Sequence, residues 1–208
     1  PGRDYSVPMF AKRSETGWER PAAKAADATH VKARPGAPAG FFALEAAGLR
    51  WLKQPEADGG ARVVDVVEVG RNKLVLRKIS AGRASARKAR EFGEALARTH
   101  DAGAPAFGAP PEGWERDGWF GPLDDPRTMR LTPRTRFGQF WAHDRIAPAV
   151  AELARRPGCY APSELAVFER LIEKLLDGDF DDDEAPARVH GDLWWGNLMW
   201  DDAGAILI

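Results

Sequence analysis

The stretch His190-Gly191-Asp192-Leu193-Trp194-Trp195-Gly196-Asn197 sets an acid and an amide in the spacing D-x-x-x-x-N. A carboxylate such as Asp192 can hydrogen-bond an acceptor hydroxyl and take its proton. The side-chain oxygen of Asn197, five positions on, can join the shell of a hard divalent cation and adds no second charge beside the base. A base and a magnesium-seeking oxygen are two of the parts that phosphoryl transfer needs; a cation that clamps the phosphates is the third. Gly191 lets the chain turn sharply before Asp192. The plainer alternative is that Asp192 and Asn197 cap a tight turn. His-Gly-Asp alone occurs by chance, so the elements around it matter.

Residues 187–190 read as a short strand leading into the motif. Residues 198–200 and 205–208 read as two apolar strands, with Asp201-Asp202-Ala203-Gly204 as the turn between them. Far upstream, residues 29–33 predict a strand, and Pro35, Gly36, Pro38 and Gly40 break the chain after it. Residues 41–52 have helical spacing, with Phe41, Leu44, Gly48 and Leu52 on one face and Phe42 and Leu49 near it. Residues 62–69 and 73–79 predict strands around the turn Gly70-Arg71-Asn72. Nearer the start, 5–12 could be a further strand, and 14–29 is a polar, Ala-rich loop or loose helix.

A helix is predicted over 83–100, with Ala89, Phe92 and Leu96 on its inner face. Residues 102–134 show no clean period and predict a long ordered loop, since Trp114, Trp119 and Phe120 argue against disorder. A helix over 137–153 would be bent or interrupted by Pro148. Ser163 predicts the N-cap of a last helix, with the stripe Leu165, Phe168, Ile172 and Leu175 and a stop at Gly178. The acidic run 179–184 lacks the ligand spacing and glycine of a calcium loop and reads as solvated. The order predicts an α+β, protein-kinase-like two-lobe fold. A small β-rich lobe would occupy 1–80 and a larger helical lobe 81–208, joined by a hinge near 77–82.

A net charge of −1 gives no electrostatic case for nucleic acid, and the basic run 83–90 reads as a solvated helix face. One cysteine, Cys159, excludes a disulfide framework and a cysteine zinc site. No apolar run is long enough to span a bilayer, and no signal-peptide centre is present, so the expected place is the cytoplasm.

The motif, with Trp194 close behind Asp192, resembles the fructosamine kinase (ketosamine-3-kinase) family, within the kinase-like fold of aminoglycoside and choline phosphotransferases. Three other stretches resemble it. Val31-Lys32 followed by Ala37-Pro38-Ala39-Gly40-Phe41-Phe42-Ala43-Leu44-Glu45 is similar to the family's lysine strand and next helix. Gly118-Trp119-Phe120-Gly121-Pro122-Leu123 is similar to an aromatic loop, and Phe137-Gly138-Gln139-Phe140-Trp141-Ala142-His143-Asp144-Arg145 to an aromatic-rich helix. The resemblance implies transfer of phosphate from ATP, with Mg²⁺, to the sugar O3 of ketoamines such as fructosyl- or ribulosyl-lysine, in deglycation or catabolism of glycated amines.

It also implies roles. Asp192 would be the base, Asn197 a metal ligand, Lys32 the phosphate clamp and Glu45 its holder. Independently of the family, a lysine on a strand and a glutamate on the next helix can meet across a lobe. Lys12 remains a rival to Lys32. Backbone at Leu76, Arg77 and Lys78 would receive adenine. Trp194 would line the ketoamine pocket, although Trp194 and Trp195 could equally be core packing. Trp195 departs from the small residue usual in the family. His143 and Arg145 could touch substrate or sit on a helix surface, and His100 reads as a packing or capping residue.

Two further departures bear on activity. The family places an aspartate, a second metal ligand, directly after the strand matching 205–208, and Asp201 and Asp202 are poor substitutes. No glycine-rich, phosphate-covering hairpin is recognisable, and the chain begins with Pro1. The expectation is a chain truncated at both ends, incomplete at the C-terminus, and weak or inactive alone. The alternatives are an aminoglycoside- or choline-type phosphotransferase, a non-catalytic kinase-like nucleotide-binding module, and a helical scaffold unrelated to kinases.

Overall fold

The computed structural model describes residues 28–121, 124–156, 158 and 160–208. The expectations for 5–12 and 14–27, the rival Lys12, and Pro122, Leu123 and Cys159 lie outside the described residues.

Strands β1 (Thr29–Ala33), β2 (Val66–Gly70) and β3 (Lys73–Arg77) form an antiparallel sheet in the order β1-β3-β2. Leu74, Val75 and Leu76 are buried in succession, as expected of a middle strand covered on both faces. The strand expected to start at 62 starts at 66, and its register slips between Val66 and Glu68. The reason is a competing partner. Val64 N–H donates to Leu207 O at 2.9 Å, and Leu207 N–H donates to Arg62 O at 2.9 Å. Residues 62–64 therefore pair with β7 (Ala205–Leu207), which forms a hairpin with β6 (Leu198–Trp200).

Helix α1 (Phe41–Lys53) buries Phe42, Leu44, Ala46, Leu49 and Leu52. Phe42 and Leu49, expected near this face, are its buried centre, while Phe41 is half-buried against the core and Gly48 is half-buried. Phe42 and Leu49 join Leu74, Leu76, Val63, Val64, Ile206 and Leu207 in one core cluster. Phe42, Leu74 and Leu207 have almost no exposed surface. Each such side chain contributes roughly 1.5–3 kcal/mol of burial. Helix α2 (Ala86–Asp101) starts at Ser85, whose hydroxyl accepts from Lys88 N–H at 3.2 Å. Ala89 is exposed, and the inward stripe is Lys88, Phe92, Ala95, Leu96 and Thr99.

The long loop contains a hairpin the sequence does not announce, β4 (Gly118–Phe120) with β5 (Arg127–Met129). Trp119 packs near Phe41 and Trp114, with ring centroids 6.2 and 6.4 Å away. The next helix runs as α3 (Phe137–Trp141), a π-helical stretch (Ala142–Ile146) and α4 (Ala147–Ala154). Pro148 has no N–H to give the Asp144 carbonyl four residues back, and the Arg145 guanidinium donates to that carbonyl instead, at 2.9 Å. Helix α5 (Pro162–Asp177) is capped by Ala161 and stopped by Gly178. Ser163 lies inside it because Pro162 already has a helical place and Glu164 reaches back to Ala161 N–H at 2.7 Å. The acidic run is not wholly solvated: Asp181 accepts from Gly138 N–H at 2.7 Å and from Arg136 Nε at 2.6 Å, so it caps α3 from a distance. These bonds hold its carboxyl below the usual carboxylate range.

Candidate active site

Lys32 sits on β1 opposite Leu74, and Glu45 sits on α1. The Lys32 ammonium donates to Glu45 Oε1, which makes the strand-to-helix pair that the sequence suggested. Nothing local favours it over the many other charged pairs in the chain; the helix must lie across the sheet for the two to meet.

Residues 187–190 form no strand. Their alternation of exposure persists, with Ala187 and Val189 outward and Arg188 and His190 half-buried. Side chains rather than a ladder secure this stretch. Gly191 has φ +82°, the left-handed conformation that suits glycine. Asp192 is exposed, and its N–H donates to His190 Nδ1 at 3.3 Å. That leaves the proton on Nε2, which donates to Ile208 O at 3.2 Å. Asn197 closes the loop: its Nδ2 donates to Asp192 O at 2.8 Å and to Asp192 Oδ2 at 2.9 Å. Ile208 N–H donates to Asn197 O at 3.1 Å, so Ile208, just after β7, holds both ends of the loop. The capping alternative and the base-plus-ligand reading therefore share one geometry.

Trp194 and Trp195 are half and largely exposed, with centroids 5.0 Å apart and an edge-to-face arrangement. Neither belongs to the core, so packing does not account for them. Leu76 is buried, while the N–H groups of Arg77 and Lys78 already donate to Asp65 O and Ala28 O, each at 2.9 Å. Arg77 and Lys78 line a cleft of about 330 Å³ that includes none of Lys32, Asp192 or Asn197. Its charges are mostly paired with each other, as in Arg77 with Asp65 and Arg62 with Asp201. Arg145 bonds Arg130 O at 2.8 Å and lies over the Phe140 ring, a structural placement, and His143 is exposed.

The strongest tie on the hairpin has no signal in the sequence. Arg62 donates both Nη groups to Asp201, at 2.8 and 2.7 Å. Asp201 also accepts from Ala203 and Gly204 N–H, both at 2.9 Å. The Arg62 hydrogen bonds push its carboxyl well below the usual range. Lys88 donates to Asp201 O at 2.8 Å, and Gly82 N–H to Trp200 O at 2.7 Å. A Cβ on Gly82 would fall 2.4 Å from the Asp201 carbonyl carbon, so only glycine fits this approach. Among the described residues no group of three or more His, Cys, Asp or Glu could hold a metal ion, and no helix is long and apolar enough to cross a membrane.

The fold has solved counterparts. A putative fructosamine-3-kinase from Thermobifida fusca superposes with a TM-score of 0.72 at 37% identity, covering 86% of this chain and 59% of that one. A putative fructosamine-3-kinase from Haemophilus somnus gives a TM-score of 0.65 at 18% identity, over 86% of this chain and 56% of the other, a likeness of fold alone. The family model for fructosamine kinase matches residues 20–208. The chain belongs to the fructosamine kinase family. A probable ketoamine kinase from Enterococcus faecium is 26% identical over 178 residues, 84% of this chain and 58% of its own length. One from Synechocystis is 33% identical over 138 residues, 66% of this chain and 40% of its own. The chain thus spans about half the length of the curated relatives it matches.

Proposed function

We propose that this chain supplies the phosphate-clamping and base-bearing parts of a kinase that transfers phosphate from ATP to the O3 hydroxyl of ketoamines. The observation that carries the reading is the Asp192–Asn197 loop, together with the Lys32–Glu45 pair elsewhere in the same fold. Asn197 spends its amide N–H on Asp192, which leaves its side-chain oxygen for a cation, and one Asp192 carboxylate oxygen is outside that bond. This donor set fits Mg²⁺ held mainly by nucleotide phosphates, with one or two protein oxygens. When bound, that ion would neutralise charge on the transferring phosphoryl group.

Asp192 orients the O3 hydroxyl and takes its proton as the bond to phosphorus forms. Lys32, aligned by Glu45, neutralises the α- and β-phosphates. With the Arg77 and Lys78 N–H groups engaged, adenine is met by carbonyls at Leu76 to Lys78 or by the next residues of the connection. The exposed Trp194 face packs against the ketoamine. A lobe of 1–80 and a lobe of 81–208 would meet at the connection near 77–82, with the β6–β7 hairpin of the second built into the core of the first, and a need for ATP suits the cytoplasm. The relatives' names, ketoamine kinase and fructosamine-3-kinase, support the substrate class.

The test is an ADP-release assay with fructosyl-lysine, Mg²⁺ and the full reading frame that encodes this chain, with the phosphate position mapped on the product. Magnesium-dependent turnover at O3, lost in Asp192→Ala, is expected. Transfer to an aminoglycoside or choline instead, or nucleotide binding without transfer, would overturn the reading.

A further inference from the structure

Arg188 stands two residues before His190, and its guanidinium holds two distant segments at once. Nη1 donates to Trp51 O at 2.6 Å and to Gln54 Oε1 at 2.7 Å. Nε donates to Gly103 O at 3.3 Å, just beyond α2. The guanidinium carbon lies 4.4 Å from the centroid of the Trp51 ring. No carboxylate among the described residues forms an ion pair with it; its partners are carbonyls, an amide oxygen and a ring. Burial disfavours its charge and lowers its pKa, against a weaker opposite pull from Glu112. A partly buried cation without a counterion is costly unless the place needs a planar fork. The end of α1 gives part of the return: the Trp51 carbonyl, which also accepts from Gln54 N–H, lies at the C-terminal, partially negative end of the helix.

The other end of the argument is α1 itself. It carries Glu45, which holds Lys32. Among the described residues no hydrogen bond or ion pair runs directly between the Lys32–Glu45 pair and the Asp192–Asn197 pair. A path does run from Lys32 through Glu45 and α1 to Trp51, then through Arg188 to His190 and Asp192. We infer that Arg188 is a positioning residue, setting helix α1 and its Lys32–Glu45 pair in register with the Asp192–Asn197 loop. Its kinetic consequence rests on the kinase reading above, while the coupling itself does not.

A strut that only stabilised the fold would lower the melting temperature and leave the folded protein's chemistry alone. A positioning residue changes kcat, since misplacement of about 1 Å can cost roughly 10²-fold. The test uses Arg188→Met, Arg188→Lys, Glu45→Gln and the double variant Arg188→Met with Glu45→Gln, each in the full reading frame. Expected is a fall in kcat of about 10- to 100-fold for Arg188→Met, with the ketoamine KM changed less than about threefold. The double variant should fall little below the worse single one, because both changes undo the same alignment. Arg188→Lys keeps the charge without the fork and should recover only part of the rate; it also carries the comparison if the Met variant does not fold. Multiplying effects, or an unchanged kcat beside a lowered melting temperature, would overturn the inference. If the wild type transfers no phosphate, the kinase reading fails alone. Hydrogen exchange then decides: Arg188→Lys should speed exchange in 48–54 and 188–192 together, and faster exchange in only one of them overturns the coupling.

Discussion

Asp192 and Asn197 are fixed to each other before any ligand arrives, and this shapes what their replacement should do. Asn197 keeps its bond to the Asp192 carbonyl when the carboxylate is removed. Asp192→Ala should therefore abolish turnover, by at least the roughly 10²–10⁴-fold of a lost general base, with ATP affinity nearly unchanged by titration calorimetry. Asn197→Ala should raise the Mg²⁺ concentration needed for half-maximal rate, because a cation oxygen and the loop's own brace go together. A magnesium titration of the variant against wild type reads this directly. Asp192 and Asn197 stand out in the sequence because spacing along a loop is a local property, whereas Lys32 and Glu45 are singled out by the family resemblance. Arg188, Arg62 and Asp181 do not stand out: each acts on a partner far away in sequence, and an isolated charged residue looks the same whether solvated or engaged.

Among the elements, α1, β1 and the β6–β7 hairpin follow from periodicity and turn residues, and they are what hold the site. The departures have physical causes. Strands of three residues each, as in the β4–β5 hairpin, are too short to show a period. Residues 187–190 have strand-like alternation but their partners are side chains, and residues 62–64 pair with β7 instead of extending β2. The cap of α5 shows how one residue of offset matters. Ala161 occupies the cap with extended dihedrals and offers no oxygen, while Glu164 already supplies half of a capping box. Ala161→Ser should complete it and stabilise the protein by about 1 kcal/mol, measured as a higher urea midpoint with an unchanged slope.

At the scale of the molecule, the hairpin after the loop is built into the core and clamped by Arg62 and Asp201. Leu207→Ala should cost about 2–5 kcal/mol, and the variant should lose loop order and global stability in one denaturation transition. The clamp also sets a pH dependence. The folded-state pKa of Asp201 is depressed, so its stabilisation is fully present above the unfolded value of about 3.9 and fades as pH falls below it. Asp201→Asn should thus be less stable than wild type at pH 7, with the gap closing as denaturation is repeated toward about pH 2.

The same pairing of 62–64 with β7 has a consequence during synthesis. Arg62 and Asp201 are 139 residues apart, so the ribosome adds the second partner on the order of ten seconds after the first. Until then the nascent sheet and α1 lack Ile206 and Leu207, and an apolar seam stays open to water and to holdase chaperones. The site loop is thus completed by nearly the same step that seals the core, which leaves little room for a stable intermediate with a finished core and an unformed loop.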